Sequence, residues 1–374
     1  MKHIIYIIYL ILVISNTCYS IDFEDRENVG TISFEELDEI SGFVFGNTNS
    51  SILWTVNDGR ADEIYGIDRN GNAVTVLNFN KDILQINTDI EDIATITISG
   101  VNYIVLADIG DNNATRENIN LFFIPEFQYD GSNEIKIEDN LIKKVKIQYE
   151  DGSRDAECLF VDPISNNIYI VTKREEQARL YEINSNFSYS NTNMAKFILD
   201  FPFGNNISSG STGITAGDIS KDGKHILIRD YTSVWYFDNT SHDILKSLKS
   251  IPAVVKSYEY SFNKEPQGES IAWDSDISGF YTTSEEKSFE GFEADLFYFK
   301  RIQSSVKKKN EIVYLNGLLL NISNSNINFE MYNLLGQKLY SSILLPYSSF
   351  NIQELNISAM YLIYSNKLLK LNYP

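Results

Sequence analysis

Apolar and polar residues alternate along most of this chain in short runs that turns separate. The run Ile52–Val56 lies between Ser50-Ser51 and Asp58-Gly59, and further runs carry aromatic residues at 121–124, 180–183, 234–237 and 296–299. An alternation of period two, bounded by turn residues, predicts β-strands, whereas a helix needs a period near 3.6. The pattern therefore predicts an all-β chain without a long helix.

The strands recur as an internal repeat of roughly fifty to sixty-five residues. Each unit has an acidic residue near the start of a strand, then a turn, and then a second strand that ends in polar residues. The equivalent starts are Glu39, Glu91, Glu157, Thr215 and Glu269. A four-strand unit of this length is typical of a propeller blade. The sequence predicts a β-propeller over residues 21–302, with a large β-sandwich as the alternative.

The repeat predicts at least five blades and does not decide whether a sixth is present. The second unit is long enough for an insertion or for a divergent sixth blade. An early strand at residues 31–34 is predicted to close the ring by joining the last blade.

Polar residues are expected to meet at one rim of the propeller. Antiparallel pairing places the start of each first strand beside the end of each second strand. Crowded carboxylates repel one another unless something positive joins them. A bound cation, a ring of internal salt bridges and a catalytic site all remain open. The candidate ligand-binding residues are Glu39, Asp58, Glu91, Glu157, Lys173, Arg174, Arg229 and Glu269.

One segment of this rim is predicted to bind a metal ion. Asp108, Asp111 and Asn112 surround Gly110 and offer the carboxylate and amide oxygens that Ca²⁺ prefers. The same residue types also form ordinary turns. Only His225 and His242 follow the first twenty residues, which excludes a multi-histidine zinc site.

The motifs of other cofactors are absent from the sequence. No phosphate-binding or dinucleotide-binding glycine motif occurs, and no nucleotide, haem or flavin is expected. Any enzyme activity would therefore be hydrolysis of phosphoesters or esters by carboxylates, basic side chains and a metal-activated water.

Charge narrows the set of partners. Acidic residues outnumber basic residues by 51 to 31, and the net charge is −20. Nucleic acids and anionic membranes both need basic surfaces, so neither is an expected partner. The cysteines are Cys18 and Cys158, and the apolar surroundings of Cys158 predict a thiol in the core.

Residues 1–20 have the pattern of a signal peptide. Lys2 precedes an apolar run at 4–14, and the small residues Cys18 and Ser20 favour cleavage after Ser20. The run has about eleven residues, and a membrane span needs about twenty. The mature protein is therefore expected to have no transmembrane helix.

The C-terminal part changes in composition. Residues 303–310 read as a polar linker, and residues 311–374 hold short alternating strands that predict a small β-sandwich.

Four motifs of the main body resemble a known class of propeller. They are Glu39–Gly42, Trp54–Gly59, Asp89–Ala94 and Gln267–Ile271. Together they look like the phytase-like and NHL/gluconolactonase-like propellers of bacteria over roughly residues 30–302. The resemblance implies calcium ions and basic residues that hold a phosphate.

The tail resembles the C-terminal sorting domain of the type IX secretion system of Bacteroidetes. The matching segments are Phe329–Leu339, Ser358–Tyr364 and Lys367–Leu371. The resemblance implies contact with the secretion machinery, passage through both membranes, and then secretion or attachment to the cell surface.

The leading hypothesis is an exported propeller whose acidic rim binds a cation together with a small-molecule or protein ligand. A calcium-dependent phosphoesterase or esterase is one alternative. A non-catalytic scaffold for protein interactions is the other.

Overall fold

The structure is a computed structural model. It describes residues 21–58, 60–84, 88–175, 177–201, 213–231, 233–250, 252–257, 265, 267–285 and 293–302, and in the tail 312–315, 318–321, 326–332, 338–345, 348–351, 361–364 and 367–370. The predicted signal peptide, Gly59, the linker 303–310, and residues 333–337, 358–360 and 371 of the tail motifs lie outside this set. Two compact units emerge, residues 21–303 and residues 304–374.

The larger unit is built almost entirely from β-strands. Its strands are β1 (Asp22–Phe23), β2 (Glu27–Thr31), β3 (Ile40–Phe45), β4 (Leu53–Asn57), β5 (Arg60–Ile67), β6 (Ala73–Asn78), β7 (Ile90–Ile98), β8 (Val101–Asp108), β9 (Ile119–Pro125), β10 (Glu134–Lys136), β11 (Lys143–Tyr149), β12 (Ala156–Val161), β13 (Ile168–Thr172), β14 (Arg179–Ile183), β15 (Asn193–Asp200), β16 (Ile214–Ile219), β17 (His225–Asp230), β18 (Ser233–Asp238), β19 (Ala253–Ser257), β20 (Ser270–Trp273), β21 (Gly279–Thr283) and β22 (Asp295–Ile302). Helical structure within the described residues is limited to α1 (Ile244–Leu248) and two 3₁₀ turns, Lys81–Ile83 and Asp139–Leu141. None of these helices is long and apolar enough to cross a membrane.

These strands form five antiparallel sheets in a ring, which is a β-propeller. The sheets are β3 to β6, β7-β8-β9-β11, β12 to β15, β16 to β19, and β20 to β22 with β2. We number them blades 1 to 5. The innermost strands β3, β7, β12, β16 and β20 lie side by side, and β20 returns to β3. The described residues therefore contain five blades.

The N-terminal strand closes the ring, as the sequence predicted, but at earlier residues. β2 pairs with β22 through Asn28↔Phe297 and Thr31↔Asp295, and β1 pairs with the other end of β22. The predicted strand at 31–34 is thus displaced toward residues 27–31. Closure joins the two ends of this unit within one sheet, so blade 5 needs both the first and the last strand of the unit.

The long second repeat is an insertion and not a sixth blade. Its extra strand β10 leaves blade 2 and pairs in parallel with β6 at the outer edge of blade 1. The outer strand β11 pairs in parallel with β15, which joins blades 2 and 3 in one sheet. Both pairings cover sheet edges that would otherwise expose unpaired backbone groups.

The apolar residues of the alternating pattern fill the spaces between neighbouring blades. Each of the five spaces holds a buried cluster, with these representative pairs from adjoining blades: Trp54 and Phe122, Phe123 and Tyr181, Phe160 and Phe237, Tyr236 and Phe280, and Tyr281 and Phe45. Cys158 is a fully buried free thiol in the third of these clusters, as its apolar surroundings predicted.

A buried carboxylate links blades 1 and 2 at the rim opposite the predicted site. Glu126 follows β9, and its oxygens accept from the backbone N–H groups of Asn47, Thr48 and Asn49 at 2.8, 2.7 and 2.9 Å. Trp54 Nε1 lies 3.4 Å from the same carboxylate. Several charge-assisted hydrogen bonds to one buried group hold the β3–β4 turn against the next blade.

The smaller unit consists of two antiparallel sheets. One contains β23 (Ile312–Leu315), β24 (Leu318–Asn321) and β27 (Ser349–Asn351), and the other contains β25 (Ile327–Tyr332), β26 (Lys338–Leu344), β28 (Tyr361–Tyr364) and β29 (Lys367–Lys370). Phe350 of the first sheet contacts Phe329 and Tyr340 of the second, with ring centroids 5.3 and 5.4 Å apart.

We expect Glu126→Gln to destabilise the propeller by about 1–3 kcal/mol, because a glutamine amide presents one N–H₂ group to backbone donors that need an acceptor. Urea denaturation at pH 7 measures the change. Glu138→Gln alters an exposed carboxylate of the same region and is the matched control. Equal midpoints for the two variants would contradict the role of Glu126.

Candidate functional site

A shift in strand register recurs near the start of the innermost strands. In β7, β12 and β16 the pairing skips Glu91, Glu157 and Thr215. Such a β-bulge adds one residue to a strand and re-aims its side chain. Glu269, directly before β20, occupies the same position in blade 5 by its pairing neighbours. Three of the five blades thus place a glutamate at one level of the channel mouth.

In blade 1 the residue that corresponds to Glu91 is not the one that the sequence predicted. Ile40 pairs with Asn57 as Ile90 pairs with Asp108, so Ser41, and not Glu39, matches Glu91. The skipped residue in β3 is Gly42, whose φ of 73° suits glycine. Ser41 Oγ donates to the Glu91 carbonyl oxygen. Glu39 lies one step further out on the rim, where its carbonyl accepts from Asp58 N at 2.9 Å.

A cluster of three carboxylates lies where blades 1 and 2 meet at the mouth. One oxygen from each of Asp58, Asp89 and Glu91 comes within 4.8 Å of the others. Asp89 was not among the predicted candidates. Gly110 leaves the space for this cluster, because a Cβ atom there would lie 2.3 Å from Glu91 Oε1 and 2.4 Å from Asp89 Oδ2.

The cluster concentrates negative charge, and the nearby Arg116 acts against it at Asp89. Burial, and then the nearby carboxylates of Asp89 and Glu269, raise the pKa of Asp58 to about 7. Burial and then Glu157 raise the pKa of Glu91 well above its ordinary value. Glu91 is 6% exposed, and one oxygen of its carboxylate lies near those of Asp58 and Asp89. Carboxylates that are crowded together and shielded from water are unfavourable in the ionised form unless a proton or a cation binds them.

Blades 3 and 4 contribute a positive charge to the other side of the mouth. Lys173 Nζ contacts the Glu157 carboxylate, lies 2.8 Å from Tyr231 Oη and is 3.9 Å from Glu269 Oε1. Gly213 makes room for the lysine side chain, since a Cβ atom there would meet Lys173 Cγ at 2.6 Å. Burial raises the pKa of Glu157 to about 7, although Lys173 acts in the opposite direction.

Arg174 adds a second cation at this side. Its Nη1 contacts Asp155 and lies 3.1 Å from Glu157 Oε1. The residue has a φ of 62°, a conformation that residues other than glycine seldom adopt. The guanidinium is 40% exposed. Lys173 and Arg174 are therefore both held by carboxylates of blade 3.

Two acids of blade 5 form a hydrogen-bonded pair. Burial, and then the hydrogen bond to Glu269, raise the pKa of Glu285 to about 10. Glu269 accepts from Tyr231 Oη at 2.7 Å and from Gln267 Nε2 at 3.3 Å. Burial alone would raise the pKa of Glu269, but these donors and Lys173 lower it. The hydrogen bond between the two acids favours the protonated form of Glu285 and the ionised form of Glu269.

Arg229 does not reach the mouth as a ligand-binding side chain. It is 0% exposed, and its Nη1 donates to the carbonyl oxygens of Ser270 and Thr283 at 2.9 and 3.1 Å. Its Nη2 contacts the Glu265 carboxylate. The sequence placed Arg229 at the rim, and the structure instead uses it to connect blades 4 and 5.

The predicted metal segment has its carboxylates engaged by protein donors. Asp108 accepts from Arg116 Nη2 and Asn120 Nδ2, both at 2.7 Å. Asp111 accepts from the Arg116 backbone N–H at 2.7 Å, and Asn112 is exposed. Asp108 and Asp111 therefore already accept hydrogen bonds from protein donors, whereas Asp58, Asp89 and Glu91 converge on one another.

Two further carboxylates lie deeper in the channel. Asp92 accepts from Ile93 N and from Leu159 N of the next blade at 2.8 and 2.7 Å. Asp218 accepts in the same way from Ile219 N and Trp273 N, at 2.8 and 2.7 Å. Each carboxylate therefore links its own innermost strand to a neighbour. Burial raises the pKa of Asp218 to about 7.

Comparisons with known proteins give structural likeness only. No family model and no curated protein matches this chain. Similar solved structures include a luciferin-regenerating enzyme, with 9% identity, a TM-score of 0.40, and coverage of 74% of this chain and 94% of that one. They also include the Kuenenia stuttgartiensis hydrazine synthase, with 10% identity, a TM-score of 0.35, and coverage of 74% and 99%. Neither likeness bears on what this chain binds.

The buried Asp218 predicts a pH dependence of stability. Its folded-state pKa lies above the unfolded value of about 4, so its contribution is present below about pH 4 and is lost as the pH rises to about 7. We expect the stability of wild type to fall between pH 4.5 and pH 8 by about 1 kcal/mol or more beyond that of Asp218→Asn, which cannot ionise. Urea denaturation in chelator measures both proteins, and Asp82→Asn, an exposed change, should behave as wild type. Parallel losses in Asp218→Asn and wild type would contradict the assignment.

Proposed function

We propose that this protein is an exported propeller that binds a divalent cation at the channel mouth through Asp58, Asp89 and Glu91. The observation that carries the proposal is the convergence of three carboxylates, those of Asp58, Asp89 and the largely buried Glu91, with one oxygen of each within 4.8 Å of the others. A cation would offset the repulsion that raises the pKa of Asp58 and Glu91.

The ligand chemistry supports a hard cation such as Ca²⁺. Three carboxylates supply up to six oxygens, and Ca²⁺ takes six to eight oxygen ligands in flexible geometry. The described residues of the cluster offer no nitrogen or sulfur ligand, which zinc and copper sites use. Gly110 keeps the space beside Glu91 and Asp89 open, so the acids converge without a side chain between them.

The contacts favour binding over hydrolysis. A phosphoesterase would need free basic residues beside the metal to hold the substrate oxyanion. Lys173 already contacts Glu157, and Arg174 already contacts Asp155. A ligand at this mouth would therefore contact the bound cation and neutral polar groups such as Tyr231. It would find few basic side chains that are not already paired with acids.

We expect Ca²⁺ to raise the melting temperature of wild type, and Glu91→Gln to weaken Ca²⁺ affinity by about tenfold or more because it removes one charged ligand. Isothermal titration with Ca²⁺ and with Mg²⁺ measures the affinities. Asp111→Asn is the matched control, because it tests the rival segment on the same rim. If Asp111→Asn loses Ca²⁺ binding and Glu91→Gln retains it, the cation site lies at Asp108, Asp111 and Asn112 instead. Unchanged melting of wild type in Ca²⁺ and in chelator would end the cation proposal.

We also propose that residues 304–374 direct export through the type IX pathway. The support is the tail motif together with the separation of residues 304–374 from residues 21–303 as compact units. Deleting residues 311–374 should leave the propeller folded and hold it in the periplasm of a Bacteroidetes host. Cell fractionation measures its location, with the full chain as the control. Equal surface or medium levels of both proteins would contradict an export role for the tail.

A further inference from the structure

A small cavity lies at the end of the channel that is opposite the mouth. Its volume is about 60 Å³, and residues of blades 1 to 4 line it. Val44, Ala94 and Val161 form part of its apolar wall, and Asp218 and Lys221 are the charged residues of its lining. An apolar cavity of about 150 Å³ holds a benzene ring, so a cavity of this size suits about two to four non-hydrogen atoms.

Lys221 extends from the turn between β16 and β17 of blade 4 to blade 1. Its half-buried side chain ends at Gly46, where Nζ donates to the carbonyl oxygen at 2.6 Å. Blades 4 and 1 are not neighbours in the ring of five, so the side chain reaches across the end of the channel. The contact uses one of the three N–H donors of a lysine ammonium group. Lys221 Nζ is thereby held at the wall of the cavity.

The surroundings of Lys221 favour the uncharged amine. Burial lowers the pKa of Lys221, against the effect of Glu126 and Asp218. Arg69 also lowers this pKa, and Asp274 raises it. Two of the three acids have other partners, because Glu126 accepts from the backbone of the β3–β4 turn and Asp274 lies 2.6 Å from Arg69 Nη2. A buried lysine with a lowered pKa can act as a nucleophile, which an ammonium group cannot.

Asp218 adds a carboxyl group to the lining of the same cavity. Its oxygens accept from the backbone N–H groups of Ile219 and Trp273, which fix the orientation of the carboxyl group. Each carboxylate oxygen has a second lone pair for a further contact. Because burial raises the pKa of Asp218 to about 7, this group can both give and take a proton near neutral pH.

We propose that Lys221 is the nucleophile of an imine-forming site for small neutral aldehydes and ketones at this end of the channel. The Nζ lone pair attacks the carbonyl carbon and a C–N bond forms. Nζ gives up two protons, the carbonyl oxygen takes up two and leaves as water, and no atom changes its oxidation state. Asp218 passes a proton to the departing oxygen.

The surroundings also define the class of substrate. The acids near Lys221 disfavour an anionic substrate, and the volume of the cavity excludes an aromatic ring. Since Asp58, Asp89 and Glu91 lie at the other end of the channel, this site does not rest on the cation proposal.

Reductive trapping on the full chain tests the nucleophile. The chain is incubated at pH 7 with acetaldehyde, cyanoborohydride and chelator, and peptide mapping by mass spectrometry gives the rate at which each lysine gains an ethyl group. We expect Lys221 to react at least about fivefold faster than Lys136 and Lys196, two exposed lysines of the outer strands, because more of its amine is uncharged. Benzaldehyde is too large for the cavity and should label Lys221 more slowly than the two exposed lysines.

Exchange of α-hydrogens measures turnover. An imine acidifies the neighbouring C–H bonds, so a base can remove a proton and D₂O returns a deuteron. We expect wild type to catalyse this exchange in acetone, followed by NMR, and Lys221→Met to lose it. Lys224→Met is the matched control, since Lys224 pairs with Asp222 at 3.4 Å and does not line the cavity. Asp218→Asn should slow the exchange by about a hundredfold, and much more than it slows labelling of Lys221.

Three results would overturn the proposal. Labelling of Lys221 by acetaldehyde no faster than that of Lys136 and Lys196 would make it an ordinary ammonium group that only contacts Gly46. Labelling of Lys221 by benzaldehyde as fast as by acetaldehyde would exclude the cavity from the reaction. Exchange that persists in folded Lys221→Met would assign the activity to another group. Melting curves check that each variant is folded, and labelling of wild type decides the matter if Lys221→Met does not fold.

Discussion

Five innermost strands each turn one unpaired edge toward the channel, and their backbone groups must find partners there. Buried N–H groups without acceptors are costly, and a ring of sheets has no further strand to supply them. Asp92 and Asp218 meet this need for Leu159 and Trp273 of the following blades. At the junction of blades 1 and 5 a backbone carbonyl is the acceptor instead, since Gly42 N donates to the Glu269 carbonyl oxygen at 3.1 Å. The fold therefore requires polar residues, some of them acids, at its centre.

Once acids line the channel, its mouth divides into two electrostatically different halves. On blades 3 to 5, Lys173, Arg174 and Tyr231 give Glu157 and Glu269 partners. On blades 1 and 2 the largest charge effects on Glu91 come from other acids, Glu157, Asp58, Asp89 and Glu269, while Arg116 acts on the neighbouring Asp89. The asymmetry makes one half a structural network and leaves the other half with charge to offset. The proposed cation site therefore lies on one side of an apparently uniform acidic rim.

The sequence predicts the blades much better than it predicts the site. Alternation and turns locate nearly every strand, because burial between neighbouring sheets imposes a period of two. The register at the mouth depends on a bulge, and a bulge leaves no periodic signal, so Glu39 is matched to Glu91 when Ser41 is its counterpart. A spacing of two residues between acids, seen in Asp89 and Glu91 and again in Asp155 and Glu157, would have identified Asp89. Arg229 shows the opposite failure, since a charge near a strand end can be wholly buried by backbone acceptors from the next blade.

Edge protection also shapes the outer flank of blade 2. β15 covers β11 only from Ile147 to Tyr149, so within the described part of the chain the preceding residues of β11 have no strand beside their outer edge. Asn193 takes up one carbonyl there, and the turn before β15 fills the rest of the space with hydroxyl and amide groups. Lysines on an exposed edge discourage pairing with another chain.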